Sequence, residues 1–466
     1  MARHGSMGRS DVAAEVAART TRVVGMSGSR GSKTLRGTLA GDVDGSVAVT
    51  KSVVVVGGGL VGLSTALMLA DRGAQVTIID HGKLGGGASR GNAGFMCSTL
   101  LEPLAAPGAV KSAITSLNDP TRAMRLHPKA LPGMIGWGLH FARSATKSRY
   151  VAGRIALAKL NLRGAESLAY LGSLGTNVEL GPELVVPFKD PAVAEHYRST
   201  LAPMADYGVK VPEGLLDGDE MRKIVPALSD GIRAGYVVAD DHSIDPRVYV
   251  DSMIEALRSR SVTILEYAPI TSVQQADGRV SSITTAKGVV VGDEYLLAAG
   301  AGMRRVGKLF GLRIPVVPGQ GYNVGLPTTD NLRNPVIFEE AHAVATPFTD
   351  RIRLGGTMEF GGDSPKFDKR RVDAIIASMR RFINLEFDAA FDTWAGSRPM
   401  SPDGLPLLGR PKGYHNVVLG VGHGMFGLSL SPVSALALTE LIMDGKSCVD
   451  LSDFDPDRFS LRSLVA

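Results

Sequence analysis

Cysteine is nearly absent. Cys97 and Cys448 are the only two in 466 residues, and they form neither a C-x-x-C nor a metal-ligand pattern. That excludes a dithiol–disulfide reductase and argues against a disulfide scaffold. Each reads as a small buried or surface thiol. No run of about 18 apolar residues occurs, so no helix is expected to span a membrane. The N-terminal stretch lacks the continuous apolar core of a secretory signal. A strong charge of one sign is missing too. Residues 1–50 carry seven cations and four acids, whereas the rest carries 44 and 42. The body is nearly balanced, which implies no nucleic-acid partner.

Glycine is plentiful, at 56 residues. Its most informative placement is SVVVVGGGLVGLSTALMLADRGAQVTIID, residues 52–80. Val53–Val56 is a β-branched run long enough for one buried strand. It ends in Gly57, Gly59 and Gly62, spaced G-x-G-x-x-G. A helical segment follows from Leu60 to Asp71, then an apolar strand, Gln75–Ile79, closed by Asp80. Gly57 permits the tight turn, Gly59 lets backbone approach a pyrophosphate, and Gly62 lets helix and strand pack closely. The helix start offers free N–H groups and a positive dipole end, and Asp80 stands where a carboxylate accepts ribose hydroxyls. The plain alternative is a glycine-rich turn in an ordinary βαβ unit. All parts in register favour a bound dinucleotide.

The chain is long enough that two intertwined domains are expected. Residues 1–50, rich in Gly, Ser, Ala and Arg, read as a disordered leader, either a transit peptide or an over-long start. After the first βαβ unit comes a glycine-rich loop, residues 82–96. Residues 103–173 read as helices. Residues 174–245 are mixed, 262–300 alternate like strands, and 313–360 look like antiparallel strands. A helix near Arg371–Asn384 precedes the C-terminal part that begins at Trp394.

That C-terminal part reads WAGSRPMSPDGLPLLGRP and then NVVLGVGHGMFGLSLSPVSALALTELI. With the N-terminal fingerprint, ASRGNAG at 88–94 and RLGGTMEF at 353–360, it resembles the FAD-dependent D-amino-acid oxidase superfamily, most nearly its D-amino-acid dehydrogenase branch. Ser397 departs from the apolar residue usual there. The resemblance spans residues 51–450. It implies an α/β fold: a Rossmann-like, glutathione-reductase-like FAD domain with an inserted, mainly antiparallel β-sheet substrate domain. The expected FAD domain is 51–100, 235–310 and 394–466; the substrate domain is 101–234 and 311–393. The implied reaction is oxidative deamination of a D-amino or cyclic imino acid, by hydride transfer to flavin N5. Rival readings are a glycine or N-methyl amino-acid oxidase using O₂, and a non-catalytic electron-relay subunit.

GHGMFG, residues 422–427, repeats the fingerprint spacing after a strand, but no second strand and acid follow. One FAD is therefore expected, with this loop over the flavin ring. Ser431 and Pro432 read as N-cap and first residue of the next helix. The expected cofactor set is Gly57, Gly59, Leu60, Val61, Gly62, Asp80, His81, Ser89, Asn92, Ala93, Gly94, Ile270, Gly300, Gly422, Gly424, Met425, Phe426 and Gly427. Ser89 and Asn92 have a simple polar loop as their alternative.

Arg398 is the expected substrate residue, since its planar fork matches a carboxylate bidentately. The alternative is a structural pair with Asp403. His423, Tyr322 and His342 are further substrate candidates, with core or surface roles as their alternatives. No metal site and no side-chain base are named, because a neutral amine needs none. Residues 103–165 hold ten Lys and Arg against Asp119, with Trp137 and Phe141 interleaved. A solvated helix face explains this, or a peripheral contact with an anionic membrane, suited to a quinone acceptor. The expected location is cytoplasmic, at most peripheral to the membrane's inner face.

Overall fold

A computed structural model describes residues 50–115, 123–360 and 367–459. The expected leader, Thr50 apart, lies outside these residues, as does Asp119. The elements that build the site are, in chain order, β1 (Ser52–Val56), α1 (Leu60–Asp71), β2 (Gln75–Ile79), α2 (Leu131–Ser144), β3 (Glu294–Leu297), β4 (Val317–Leu326), β5 (Ala343–Pro347), β6 (Ile352–Phe360), α3 (Lys369–Met379), β7 (Phe391–Met400), β8 (Val417–Val421) and α4 (Gly427–Asp444).

β1 lies between β3 and β2, parallel to both. The six-stranded sheet runs Leu407–Gly409, β8, β3, β1, β2, Thr263–Leu265, and only the first of these is antiparallel to its neighbour. Both faces are covered, as a parallel sheet requires. On one side α1, α4 and the helix Pro246–Arg258 share a core that includes Val53, Val55, Leu63, Met253 and Val433. On the other side a three-stranded antiparallel meander, residues 270–290, packs Val280 and Ile283 against Val54, Tyr295 and Leu297. Because Val53–Val56 face two cores in alternation, all four are buried, which is why this strand reads as continuously apolar.

The second sheet has nine strands. Its main path is β7, β4, β6, β5, Val336–Phe338, Leu184–Phe188, Ala234–Val238, Leu216–Asp217, with Met124–Leu126 added beside β6. Most pairs are antiparallel, as expected. α3 covers one face, burying Val372 and Ile375 against Val324 and Leu354. The boundaries expected at 235 and 394 fall inside this sheet: Ala234–Val238 pairs with Leu184–Phe188, and β7 pairs along β4. Arg398 thus hangs from the large sheet.

One local expectation is corrected. The last helix does not start at Ser431–Pro432; α4 begins at Gly427, and Pro432 sits inside it. A proline there leaves the Leu428 carbonyl without its helical donor. The Ser431 hydroxyl donates to that carbonyl at 3.1 Å, so the Ser-Pro pair is a patched helix interior.

Candidate active site

Three glycine-bearing loops leave the C-terminal ends of the adjacent parallel strands β1, β3 and β8. This is the edge where open α/β sheets bind ligands. Gly57 has φ +112°, and a Cβ there would lie 2.4 Å from the Ala298 carbonyl oxygen. Gly62 is tighter: its Cβ would lie 1.9 Å from the Gly57 oxygen. Gly59 is different. A Cβ there would meet only the Ser89 hydroxyl, at 3.2 Å. Ser89 Oγ accepts from the Leu60 N–H at 3.1 Å. The N–H groups of Val61 and Gly62, in the first turn of α1, have no carbonyl within the helix. Gly300, at φ +53°, also faces open space. Gly422 and Gly424 have φ +86° and +56°.

Asp80 ends β2. Its carboxylate accepts from Gly58 N at 2.7 Å and Gly82 N at 2.8 Å, and exposed His81 approaches at 3.1 Å. Burial raises this carboxyl, but the bonds from His81, Gly82 and Gly58 outweigh it and hold it below its usual range. Asn92 closes its own loop, donating to the Ser89 carbonyl and accepting from Gly94 N. Its side chain is thus spent inside the loop. Gly94 has φ +81° and packs against Phe348 and the Ile244 carbonyl. Ile270 opens the small meander and packs half-buried on its core. An open backbone cradle, donors at a helix start and an acid at the end of the second strand together fit a dinucleotide.

The face that carries Arg398 is set by strand alternation. Gly319 and Gly321 on β4, and Gly396 on β7, leave it without side chains. The Arg398 guanidinium lies over Gly321, so close that a Cβ there would fall 2.2 Å from Nη1. Trp394 covers Gly396 and Gly91 in the same way. Arg398 Nη1 donates to the Thr357 carbonyl at 3.2 Å. Asp403 does not pair with it; that carboxylate is held by Arg458 at 2.8 Å. No carboxylate pairs with Arg398 among the described residues. Some of its surface stays accessible, yet the protein packed around the guanidinium pushes its pKa down to about 10. It remains a cation at neutral pH without a counter-charge. Thr357 itself is strained. It sits at a register shift with φ +59°, rare for a β-branched residue, and its buried hydroxyl has no partner.

The other substrate candidates are not gathered here. Tyr322 alternates with Gly321 and so takes the opposite face, against Val372 and Ile375 of α3, where its hydroxyl reaches Glu359. His342 is an exposed turn residue entering β5, two strands beyond β4 in the sheet and roughly 14 Å from β7 at normal strand spacing. His423 is buried, its Nε2 3.0 Å from the Ser434 hydroxyl within α4, and burial lowers its pKa to about 4. Its ring is thus buried with a side-chain partner, where the sequence alternative was a buried histidine satisfied by backbone. The 422–427 loop still meets the strand that carries Arg398, because Gly424 N donates to the Pro399 carbonyl at 3.0 Å. Met425 is exposed in that loop and Phe426 is half-buried at the helix start. Thr357 and the glycine floor were missed. The period-two run Gly319, Gly321, Gly325 was a signal for the floor.

A family profile described as FAD dependent oxidoreductase matches residues 52–441. The chain is similar to the D-amino acid dehydrogenase of Chromohalobacter salexigens, 27% identical over 419 residues that cover 88% of this chain and 99% of that protein. The crystal structure of a glycine oxidase from Bacillus cereus matches with a TM-score of 0.68 at 19% identity, over 87% of this chain and 98% of that one. That of an iminodiacetate oxidase from a Chelativorans species matches with a TM-score of 0.63 at 25% identity, over 87% and 98%. The chain belongs to the FAD dependent oxidoreductase family, with FAD as its cofactor.

Proposed function

We propose that this enzyme oxidises a D-amino acid or cyclic imino acid at the Cα–N bond, yielding an imine that water hydrolyses to the 2-oxo acid. The carrying observation is Arg398, a cation laid flat over Gly321 with no carboxylate of its own. A planar guanidinium without a carboxylate partner is a receptor for a planar anion. FAD, when bound, would supply the two-electron acceptor for the hydride that leaves the substrate carbon. Gly57, Gly59, Gly62, Asp80, Ser89, Gly300 and the 422–427 loop are the residues to hold it. Arg398 fixes the carboxylate, Trp394 walls the floor, and the glycines leave room for a flat ring. With the amine entering neutral, no side-chain base is required. The D configuration is supported by the name of the Chromohalobacter relative. Anaerobic bleaching of the flavin by a panel of D- and L-amino acids tests this. Bleaching by D-amino or imino acids is expected, and bleaching by none of the panel would favour an electron-relay subunit. Peroxide formation in air would favour an oxidase over a dehydrogenase.

The reading extends to a quinone acceptor met at a membrane surface, on the inner face. No helix among the described residues is long and apolar enough to cross a membrane, so the contact is peripheral. Trp137 and Phe141 stack 5.0 Å apart on the inner side of α2, with Trp137 bonded to the Met400 carbonyl. The outer side of α2 instead carries Leu131, Ile135 and Leu139, spaced by one turn each and exposed, with Ile114 nearby. An apolar groove of about 230 Å³ lies beside this side, lined by Ile114, Leu131, Ile135, Trp137, Phe141 and Phe360 among others. Exposed Lys111 and Arg143 lie on the two helices that line it, next in sequence to the lining residues Val110 and Ala142. An apolar stripe with cations around it suits anionic lipid. Flotation with anionic vesicles, lost in Ile135→Glu and absent with zwitterionic vesicles, is the expected result. Equal flotation of Ile135→Glu would sink this extension.

A further inference from the structure

Four consecutive peptide carbonyls in the glycine-rich loop are taken by side chains of the large sheet. Arg353 Nη1 donates to the carbonyls of Arg90, at 3.2 Å, and Asn92, at 2.6 Å. Asn323 Nδ2 donates to that of Gly91. Thr346 Oγ1 donates to that of Ala93 at 2.7 Å. The three donors come from β6, β4 and β5, which are neighbours. None of the N–H groups of Arg90, Gly91, Asn92 or Ala93 has a hydrogen-bond partner among the described residues. Such one-sided satisfaction is unusual. Loop backbone normally spends donors and acceptors alike on protein or water. Here every acceptor is fixed on the sheet side, and a run of donors is left over.

We propose that Asn323, Thr346 and Arg353 are positioning residues for the cofactor: they clasp the loop by its carbonyls and so preset its free N–H groups as a donor row for FAD. The inference rests on the reading that this loop lines the FAD site. It deepens that reading, because the clasp belongs to the sheet that carries Arg398. Cofactor loop and substrate floor are then one rigid unit. Arg353 is well chosen for the task. It is buried, pairs with no carboxylate among the described residues, and rests against the Phe348 ring at 5.3 Å. Its charge is therefore not cancelled beside a cofactor that carries two phosphates. Both bonds leave the one Nη1, at the end of a planar group; a lysine side chain is one bond shorter and ends in a freely rotating ammonium.

The experiment uses the full chain and compares Thr346→Val, Arg353→Lys and wild type. Two quantities are read: the FAD dissociation constant, by flavin fluorescence, and hydrogen exchange at residues 89–95 in the apoprotein. Thr346→Val is near-isosteric and removes one clasp bond, so it keeps the test alive if the arginine variant folds poorly. About tenfold weaker FAD binding with faster loop exchange is expected for Thr346→Val, and a larger loss for Arg353→Lys. Unchanged exchange and unchanged affinity in both would overturn the clasp. Faster exchange with unchanged affinity would overturn its role toward FAD, and with it the placing of this loop at the cofactor. The proposed amino-acid chemistry would survive either result, since it is read from Arg398 by substrate bleaching.

Discussion

Burial acts on Arg398 and His423 alike, lowering both cations' pKa, but with different results. Arg398 stays charged at neutral pH and His423 does not. The histidine therefore makes a pH prediction. Its folded pKa of about 4 lies below the ordinary 6.5, so the unfolded chain binds more protons between those values. Stability from this residue is full above pH 6.5 and is lost as pH falls through 6.5 toward 4. The span corresponds to about 3 kcal/mol at most. Urea unfolding of the holoenzyme between pH 7 and 4.5 should lose stability, and His423→Gln should flatten that slope. An equal slope in the variant would assign the loss to other groups. At this scale Arg398 stood out because its motif is compact in sequence, and the structure lays it over Gly321. Tyr322 was misread because one position along a strand reverses the face. Thr357 was illegible, since its strain comes from a register shift between two strands, which no local pattern encodes.

At the scale of elements, the glycines of the first turn divide into two kinds. Gly62 is required by packing, since a methyl group would overlap the Gly57 carbonyl. Gly62→Ala should destabilise the fold by about 1–3 kcal/mol or more. Gly59 has ordinary φ and meets only Ser89. Gly59→Val should fold and lose its flavin, so a yellow Gly59→Val protein of normal occupancy would contradict the cradle. Within α4, Ser431→Ala should cost about 1–3 kcal/mol by orphaning the buried Leu428 carbonyl. In a Pro432→Ala background, where a helical N–H is restored, the same change should cost little. Denaturation of the four variants reads this cycle, and an equal cost in both backgrounds would reject the patch. The strand–glycine–helix unit was legible because every contact in it is local. The start of α4 was not. Ser-Pro imitates a helix start, and only the loop's bond to Pro399 and the packing of Leu428 and Leu430 place that start five residues earlier.

Across the whole molecule, the large sheet and the loops of the parallel sheet are joined by hydrogen bonds. The Gly424 N–H meets Pro399, and the sheet's side chains hold the 90–93 loop. Sequence resemblance gave the two-part architecture but misjudged its seams. Ala234–Val238 and β7 look like the start of a nucleotide segment, yet their partners lie dozens of residues away in the large sheet. Such pairing is decided by long-range register. In the proposed function, Arg398 recognises the substrate carboxylate. Breaking one side of such a pair costs about 2–5 kcal/mol, or roughly 30-fold to several-thousand-fold in kcat/KM. The direct measurement is anaerobic flavin reduction by the best D-amino acid and by its decarboxylated amine, in wild type, Arg398→Lys and Arg398→Ala. Wild type should strongly prefer the amino acid, Arg398→Lys should recover only part of that preference, and Arg398→Ala should lose it with FAD still bound. An Arg398→Ala enzyme that reduces its flavin with the amino acid as efficiently as wild type would contradict the account.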